Sequence, residues 1–468
     1  MAPAVGASPA SAGAQAQLRI RPTVQGAALV LKNKTGRILA MAGSFSYALS
    51  QLNRTAQTQR QPGSAMKPLT YLTALQSGLQ PNTLVRDDPI TLPPIGAAHG
   101  GRKTSSGKHS GGAREEDFWS PRNADNSSGG VFTIRRGLEN SVNVVTAHLL
   151  DGGIRSDPEK SLDEVCATAV AAKIYSTCIR YYPFVLGAQP VRMIDLAAFY
   201  AAVANEGALP HPHAIDSIEM DGQTVFKFPD APPPFIGAAD RTSFYQLKTM
   251  LQGVVARGTA RAISSLSPYV AGKTGTTEDA VDGWFIGFTN DVTIAVWVGY
   301  DNGDRRRRSL GTTGARVALP IFEPILQAVW AEGIAPKAPL SGPSPEAKQH
   351  LVDLPIDYYD GSRIKGGGGQ AFVEHFRVGA DGKIKETQYK LVSRETPRVV
   401  RHPKTEAEQA QGAWGWRNPG QAAEQTRGTW DWDRQQWQPA PPQNRARGTV
   451  APWSNPGEPR GFWGGWSN

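Results

Sequence analysis

The sequence predicts an α/β fold in which strands near both ends of the first 330 residues share one sheet and a helical insert packs alongside. Three observations carry this. Two strand-like runs, VQGAALVLK and RILAMAG, flank a turn near the start; three more, YVAGKTG, DGWFIGFT and VTIAVWVGY, lie between residues 269 and 300. Between them, apolar residues recur at helical spacing with terminal Gly or Asn as stops.

The elements follow in order. Residues 1–21 are rich in Ala, Ser, Pro and Gln and read as a linker. From Val24 a strand, the turn Asn33-Lys34-Thr35-Gly36 and a second strand form an opening hairpin. Pro62-Gly63 then introduces a helix with Met66, Leu69, Leu72 and Leu75 on one face, ending near Gly78. Residues 80–130 lack periodicity and are expected to form a long surface excursion. TIRRGLEN, VVTAHLLDGG, the 159–175 segment and MIDLAAFYAAVANEG form an all-helical subdomain. A hairpin about Asp221-Gly222, a helix at 240–256, the three late strands and a helix at 314–331 interrupted by Pro320 and Pro324 complete the unit. The domain reading is a linker at 1–21, a main domain at 22–335, a C-terminal extension at 336–400 and a low-complexity tail at 401–468. Eight of the twelve tryptophans fall at or beyond Trp414 in a Pro/Gly/Gln-rich context, so this tail is expected to be disordered when alone.

Composition narrows the function. The 468 residues hold 50 glycines and 36 prolines, with 40% hydrophobic and 19% charged residues. Length allows about three domain-sized units. The net charge of +9 is spread along the chain, which argues against a nucleic-acid footprint. The densest basic run, Arg305 to Arg308, reads as a solvated loop. No stretch approaches the apolar length of a membrane span, and the N-terminus lacks the pattern of a signal peptide. Cys166 and Cys178 are too few for a disulfide scaffold and lack zinc-site spacing; a short disulfide loop and two buried thiols are equally open readings.

Chemistry concentrates at three places. Ser64 and Lys67 lie one helical turn apart, so a weakly nucleophilic alcohol has an amine within reach, and an amine kept partly neutral by burial or nearby positive charge can act as its base. Helix-start N–H groups can also stabilise an oxyanion. Ser105 and Lys108 repeat the spacing without an apolar helix and read as loop, and Lys34-Thr35-Gly36 reads as turn chemistry. Ser141-Val142-Asn143 lies between two helical segments, where a hydroxyl and an amide can point into one cleft. Lys273-Thr274-Gly275-Thr276 ends a strand. There Lys273 and Gly275 share one face and Thr274 and Thr276 the other, so a twist or bulge is expected to bring their groups to one substrate, with Gly275 permitting close backbone approach.

SxxK, SxN and KTG in this order, together with RQPGSAMKP, WSPRN, SVNV, LGAQPVRMIDLAAFYAAVANEG and GKTGTTEDAVDGWFIGFT, resemble the transpeptidase domain of class A, bifunctional penicillin-binding proteins over residues 24–330. The resemblance implies an antiparallel sheet with flanking helices plus an all-helical subdomain. It implies that Ser64 attacks the penultimate D-Ala of a peptidoglycan stem peptide, with Lys67 as base, Ser141 as proton relay to the leaving amine and Asn143 orienting Lys67. Lys273 would supply positive potential. Thr274, Gly275 and Thr276 would bind substrate, the threonine hydroxyls taking its carboxylate, and the N–H groups of Ser64 and Thr276 would form the oxyanion hole. No metal or organic cofactor is implied. Stem peptides and β-lactams are the implied ligands, a glycan polymerase or membrane-anchored protein the implied partner, and the extracytoplasmic side the implied location. Only some twenty residues precede the first strand, so glycan polymerisation is not expected of this chain. The rival readings are a D,D-carboxypeptidase or β-lactamase, with Asp157, Glu159, Asp163 or Glu164 as a deacylating carboxylate, and a non-catalytic penicillin-binding module.

Overall fold

A computed structural model describes residues 23–48, 50–96, 118–301, 309–364, 372–384, 391–392, 428–431 and 436–439. The linker at 1–21, Ser105 and Lys108, Arg305 to Arg308 and most of the tail lie outside the described residues.

The opening hairpin is β1 (Gln25–Lys32) and β2 (Ile38–Ala42), with the turn completed by Gly36 at φ +79°. A 3-10 turn, Gly63–Met66, leads straight into α1 (Lys67–Gln76), whose residues are buried except at its last position. The excursion after it is more ordered than its composition suggests. β3 (Leu84–Arg86) pairs antiparallel with β4 (Val131–Thr133), Leu92 bridges Trp119, and Ile90 and Leu92 are buried. Those pairings join residues 27 to 49 positions apart, so no local period announces them.

The helical part is α2 (Ile134–Glu139), α3 (Asn143–His148), α4 (Pro158–Ala171) and α5 (Met193–Ala204). Thr133 caps α2 and Asp157 caps α4 through their side chains. Then come the exposed hairpin β5 (Ser217–Met220) and β6 (Gln223–Lys227), and α6 (Arg241–Ala256). The late strands are β7 (Ala271–Thr276), β8 (Asp282–Phe288) and β9 (Val292–Gly299).

The main sheet is antiparallel throughout, in the order β2-β1-β9-β8-β7. Strands β8 and β9 are buried along their whole length, which requires cover on both faces. On one face Gly283, Phe285 and Gly287 meet α7 (Gly314–Ala331), with Phe285 edge-on to Phe322. Trp284 and Ile286 face the other way. Helix α7 runs uninterrupted through Pro320 and Pro324, contrary to the expected break. Both prolines lie on its solvent face, one turn apart, so the carbonyls that lose N–H partners there can be hydrated.

The extension carries α8 (Pro345–Lys348) and the ribbon β10 (Leu351–Ile356) and β11 (Phe372–Arg377), while β12 (Leu391–Val392) pairs parallel with β3. Cys166 and Cys178 form a disulfide across a sequence separation of 12, which settles a question the spacing left open. The chain divides into two units, Met1–Thr396 and Pro397–Asn468. In the second, the described residues form one short antiparallel hairpin, β13 (Gly428–Asp431) with β14 (Gln436–Pro439). A lone two-stranded ribbon is of marginal stability in water.

Candidate active site

Three chain segments more than 60 residues apart meet between the first turn of α1 and strand β7. Gly63, at φ +51°, permits the contact: a Cβ there would lie 2.4 Å from Thr276 O. A Cβ on Gly275 would lie 2.5 Å from Pro62 O and 3.0 Å from Ala65 Cβ, so only glycine lets strand and turn touch. Tyr200 Oη donates to Ala65 O at 2.7 Å, and Trp284 Nε1 donates to Gln61 O at 2.9 Å. The turn carrying Ser64 is thus pinned on both sides. Ser64 is partly exposed, and its hydroxyl makes no hydrogen bond with another described residue.

Lys67 opens α1 and is fully buried. Its Nζ donates to Ser141 O at 2.6 Å and Asn143 Oδ1 at 2.7 Å, and lies 3.3 Å from Ser141 Oγ. A neutral amine has two N–H groups; the two short contacts accommodate both and leave its lone pair for a hydroxyl proton. Burial first, and repulsion from Lys273 second, hold this amine well below the ordinary lysine range. Lys273 is also fully buried, and its desolvation brings it down to about 7. Its Nζ donates to Ser141 Oγ at 2.9 Å and Thr274 O at 3.2 Å. The Ser141 hydroxyl therefore lies between two amines, each biased toward losing its proton.

Ser141 reaches this position in the left-handed region, at φ +59°. A serine there costs on the order of 1–2 kcal/mol, retained only because surrounding contacts fix it. Leu138 O accepts from its N–H, and α3 starts two residues later. The α3 cap comes from a distance: Asn123 Oδ1 accepts from the N–H groups of Asn143 and Val144. Asn123 is itself oriented by Asp87, both of whose oxygens accept from its Nδ2. Asn143 Nδ2 donates to Arg122 O, which turns its Oδ1 toward Lys67.

The structure thus brings Lys67, Ser141, Asn143 and Lys273 into one hydrogen-bonded group, and packs Gly275 against Pro62 and Ala65 of the turn that carries Ser64. It does not bring the Thr274 and Thr276 hydroxyls to that group. Of the twist or bulge expected there, the bulge is absent, because the β7–β8 register is unbroken. Thr274 Oγ1 pairs with Thr259 Oγ1 at 2.7 Å, and Thr276 Oγ1 accepts from Gly314 N–H. Strand β7 ends the sheet, leaving its outer edge free of a further strand among the described residues.

Sequence reasoning assigned no part to Asn123, Tyr200, Trp284 or Thr259. Asn123 and Trp284 lie in the quoted segments WSPRN and DGWF, but their roles depend on long-range contacts that no spacing encodes. The four carboxylates considered for deacylation have other partners. Asp157 caps α4, Glu159 accepts from Gly96 N–H, Asp163 pairs with Arg180, and Glu164 pairs with Arg155.

A family model described as the penicillin binding protein transpeptidase domain matches residues 26–160 and 187–327. Penicillin-binding protein 1A of Rickettsia conorii is 30% identical over 328 residues, 65% of this chain and 38% of that protein. The chain thus spans under two-fifths of the length of that curated relative. Among solved structures, penicillin-binding protein 1A from Haemophilus influenzae shares the fold, with a TM-score of 0.63 at 24% identity over 78% of this chain and 54% of that one. PonA1 from Mycobacterium tuberculosis in complex with penicillin V also shares it, with a TM-score of 0.54 at 20% identity over 69% of this chain and 82% of that one.

Proposed function

The chain belongs to the penicillin-binding protein transpeptidase family, and from that premise we propose that it is a D,D-transpeptidase acting on peptidoglycan stem peptides through an acyl-enzyme on Ser64. The observation that carries the proposal is the Ser141 hydroxyl, 2.9 Å from Lys273 Nζ and 3.3 Å from Lys67 Nζ. Two desolvated amines joined through one hydroxyl form a route by which a proton can be taken up and delivered.

In this reading Lys67 accepts the Ser64 proton as Oγ bonds to the carbonyl carbon of the penultimate D-Ala. The N–H groups of Ser64 and Thr276 hold the resulting oxyanion. Collapse breaks the C–N bond, and the proton passes through Ser141 to the departing D-Ala amine. An amine from a neighbouring stem then attacks the ester, forming the cross-link and returning Ser64 to its free state. Asn143 keeps Lys67 aimed. Lys273 supplies positive potential, while Thr274 and Thr276 exchange their Thr259 and Gly314 partners for the substrate carboxylate, with Gly275 keeping strand and turn in contact. A penicillin, presenting a strained amide in place of D-Ala-D-Ala, acylates the same serine. The Cys166–Cys178 disulfide supports an extracytoplasmic location, because such bonds persist in oxidising compartments. A glycan polymerase or membrane-anchored protein is the partner this activity calls for, since cross-linking needs glycan strands.

Intact-mass measurement after penicillin treatment tests the proposal. The wild type is expected to gain one penicillin mass and Ser64→Ala none. An unmodified wild type would leave only a non-catalytic module, and an adduct on Ser64→Ala would place the nucleophile elsewhere. Turnover of the drug within seconds would replace the transpeptidase with a β-lactamase.

A further inference from the structure

Resting on the acyl-transfer reading above, we propose that Glu139 is a positioning residue that clamps the Ser141 turn to the Thr259–Thr274 wall, and that Tyr358 and Glu374 hold the clamp from beyond it.

Glu139 ends α2, two residues before Ser141, and is fully buried. Its carboxylate accepts from Arg257 Nε at 2.9 Å and Nη2 at 2.6 Å, from Tyr358 Oη at 2.6 Å, and at 3.5 Å from Arg135 Nη1. Its backbone carbonyl accepts from Thr259 N–H at 3.1 Å. One residue thus holds both sides of the cleft. Through its chain it fixes the turn whose hydroxyl meets the two lysines, and through its carbonyl it fixes Thr259, whose hydroxyl pairs with Thr274 on β7. The fit is close on the α6 side, where a Cβ on Gly258 would lie 2.2 Å from Glu139 O and one on Gly253 would lie 1.9 Å from Glu139 Oε1.

The far half of the cluster comes from beyond residue 327, where the family match ends. Glu374 of β11, fully buried, takes Arg135 through Nε at 2.5 Å and Nη2 at 2.6 Å. Two carboxylates and two guanidinium groups balance. A carboxylate alone in this interior would be costly, so Glu139 depends on partners that the ribbon orients. Tyr358 and Phe372 also lie under the Arg257 guanidinium, each with its ring centre 4.7 Å away. None of these groups touches Ser64, Lys67 or Lys273, so their influence on the reaction passes through the Ser141 turn and Thr259.

The test compares three variants of the full chain with wild type. Tyr358→Phe removes one hydroxyl and Glu139→Gln removes the charge. Arg377→Met removes a pair with Asp240 at the end of β11 that involves none of the groups around Glu139. Stopped-flow acylation by a fluorescent penicillin separates reversible affinity from the acylation step, and hydrogen exchange follows peptides covering 138–146 and 257–262. Tyr358→Phe and Glu139→Gln are expected to slow the acylation step on the order of tenfold with affinity unchanged, and to raise exchange in both peptides. Arg377→Met is expected to lower the melting temperature and leave the acylation step unchanged. Wild-type rates in Tyr358→Phe, or an equal slowing in Arg377→Met, overturn the clamp. A wild type that never reacts with penicillin overturns the proposed function instead, while unchanged exchange in Tyr358→Phe still overturns the clamp.

Discussion

Replacing Lys273 with methionine is expected to make the protein more stable at mildly acidic pH while abolishing its reaction with penicillin. Burial lowers this amine from an ordinary 10.5 to about 7. Below pH 7 it is protonated in both folded and unfolded chains, and keeping it charged in the interior costs ~5 kcal/mol of folding free energy. Between pH 7 and 10.5 the unfolded chain holds the proton and the folded one does not, so unfolding takes up a proton and stability rises with pH. Methionine removes the cost but leaves Ser141 Oγ and Thr274 O without this donor, at about 1–3 kcal/mol. The variant should therefore exceed wild type by about 2–4 kcal/mol at pH 6, with the advantage shrinking by ~3 kcal/mol by pH 9. Lys67 also loses its neighbour's repulsion, so its own amine should rise toward the ordinary range in the variant. Urea unfolding of both proteins at the two pH values measures this. A Lys273→Met protein less stable than wild type at pH 6, or a gap that does not change with pH, would refute the reasoning.

Gly275→Ala, by forcing a methyl within 2.5 Å of Pro62 O, should cost about 1–3 kcal/mol in thermal unfolding and slow penicillin acylation by on the order of a hundredfold. Asn123→Ala takes away the α3 cap and the donor to Asp87, for an expected loss of about 2–4 kcal/mol by denaturant titration. Its acylation rate should fall as well, since Asn143 loses its anchor. Tyr200→Phe removes the side-chain donor to the buried Ala65 carbonyl and should destabilise by about 1–3 kcal/mol, with slower labelling by fluorescent penicillin. Cys166→Ser opens a short loop and should reduce stability by ~3 kcal/mol relative to the oxidised protein, matching the effect of a reducing agent on wild type.

What the sequence reveals about this fold depends on how locally each feature is encoded. The β1–β2 hairpin, α1 and the three late strands carry their own periods and turn residues, and they lie where those signals put them. Ser64, Lys67, Ser141 and Lys273 are legible because their motifs are short and ordered. Asn123, whose amide caps a helix twenty residues on, leaves no pattern in its neighbours. Nor does Glu139, which looks like the polar end of an ordinary surface helix until Arg257 and Tyr358 arrive from 118 and 219 positions away. The continuity of α7 was obscured for the opposite reason. Pro320 and Pro324 are strong local stop signals, but solvent can satisfy the carbonyls they leave unpaired, and packing of Phe322 on the sheet keeps the helix whole.

The sheet order has a temporal meaning. Because β1 takes β9 as its neighbour, with Gln25 opposite Gly299, the first strand of this sheet in chain order waits for one up to 274 positions behind it. Until that closure, Ser64 has neither Lys273 nor the β7 wall against its turn, and the chain is a harmless precursor of itself. The reactivity proposed for Ser64 is therefore acquired late and all at once, when the last strand of the sheet slots home.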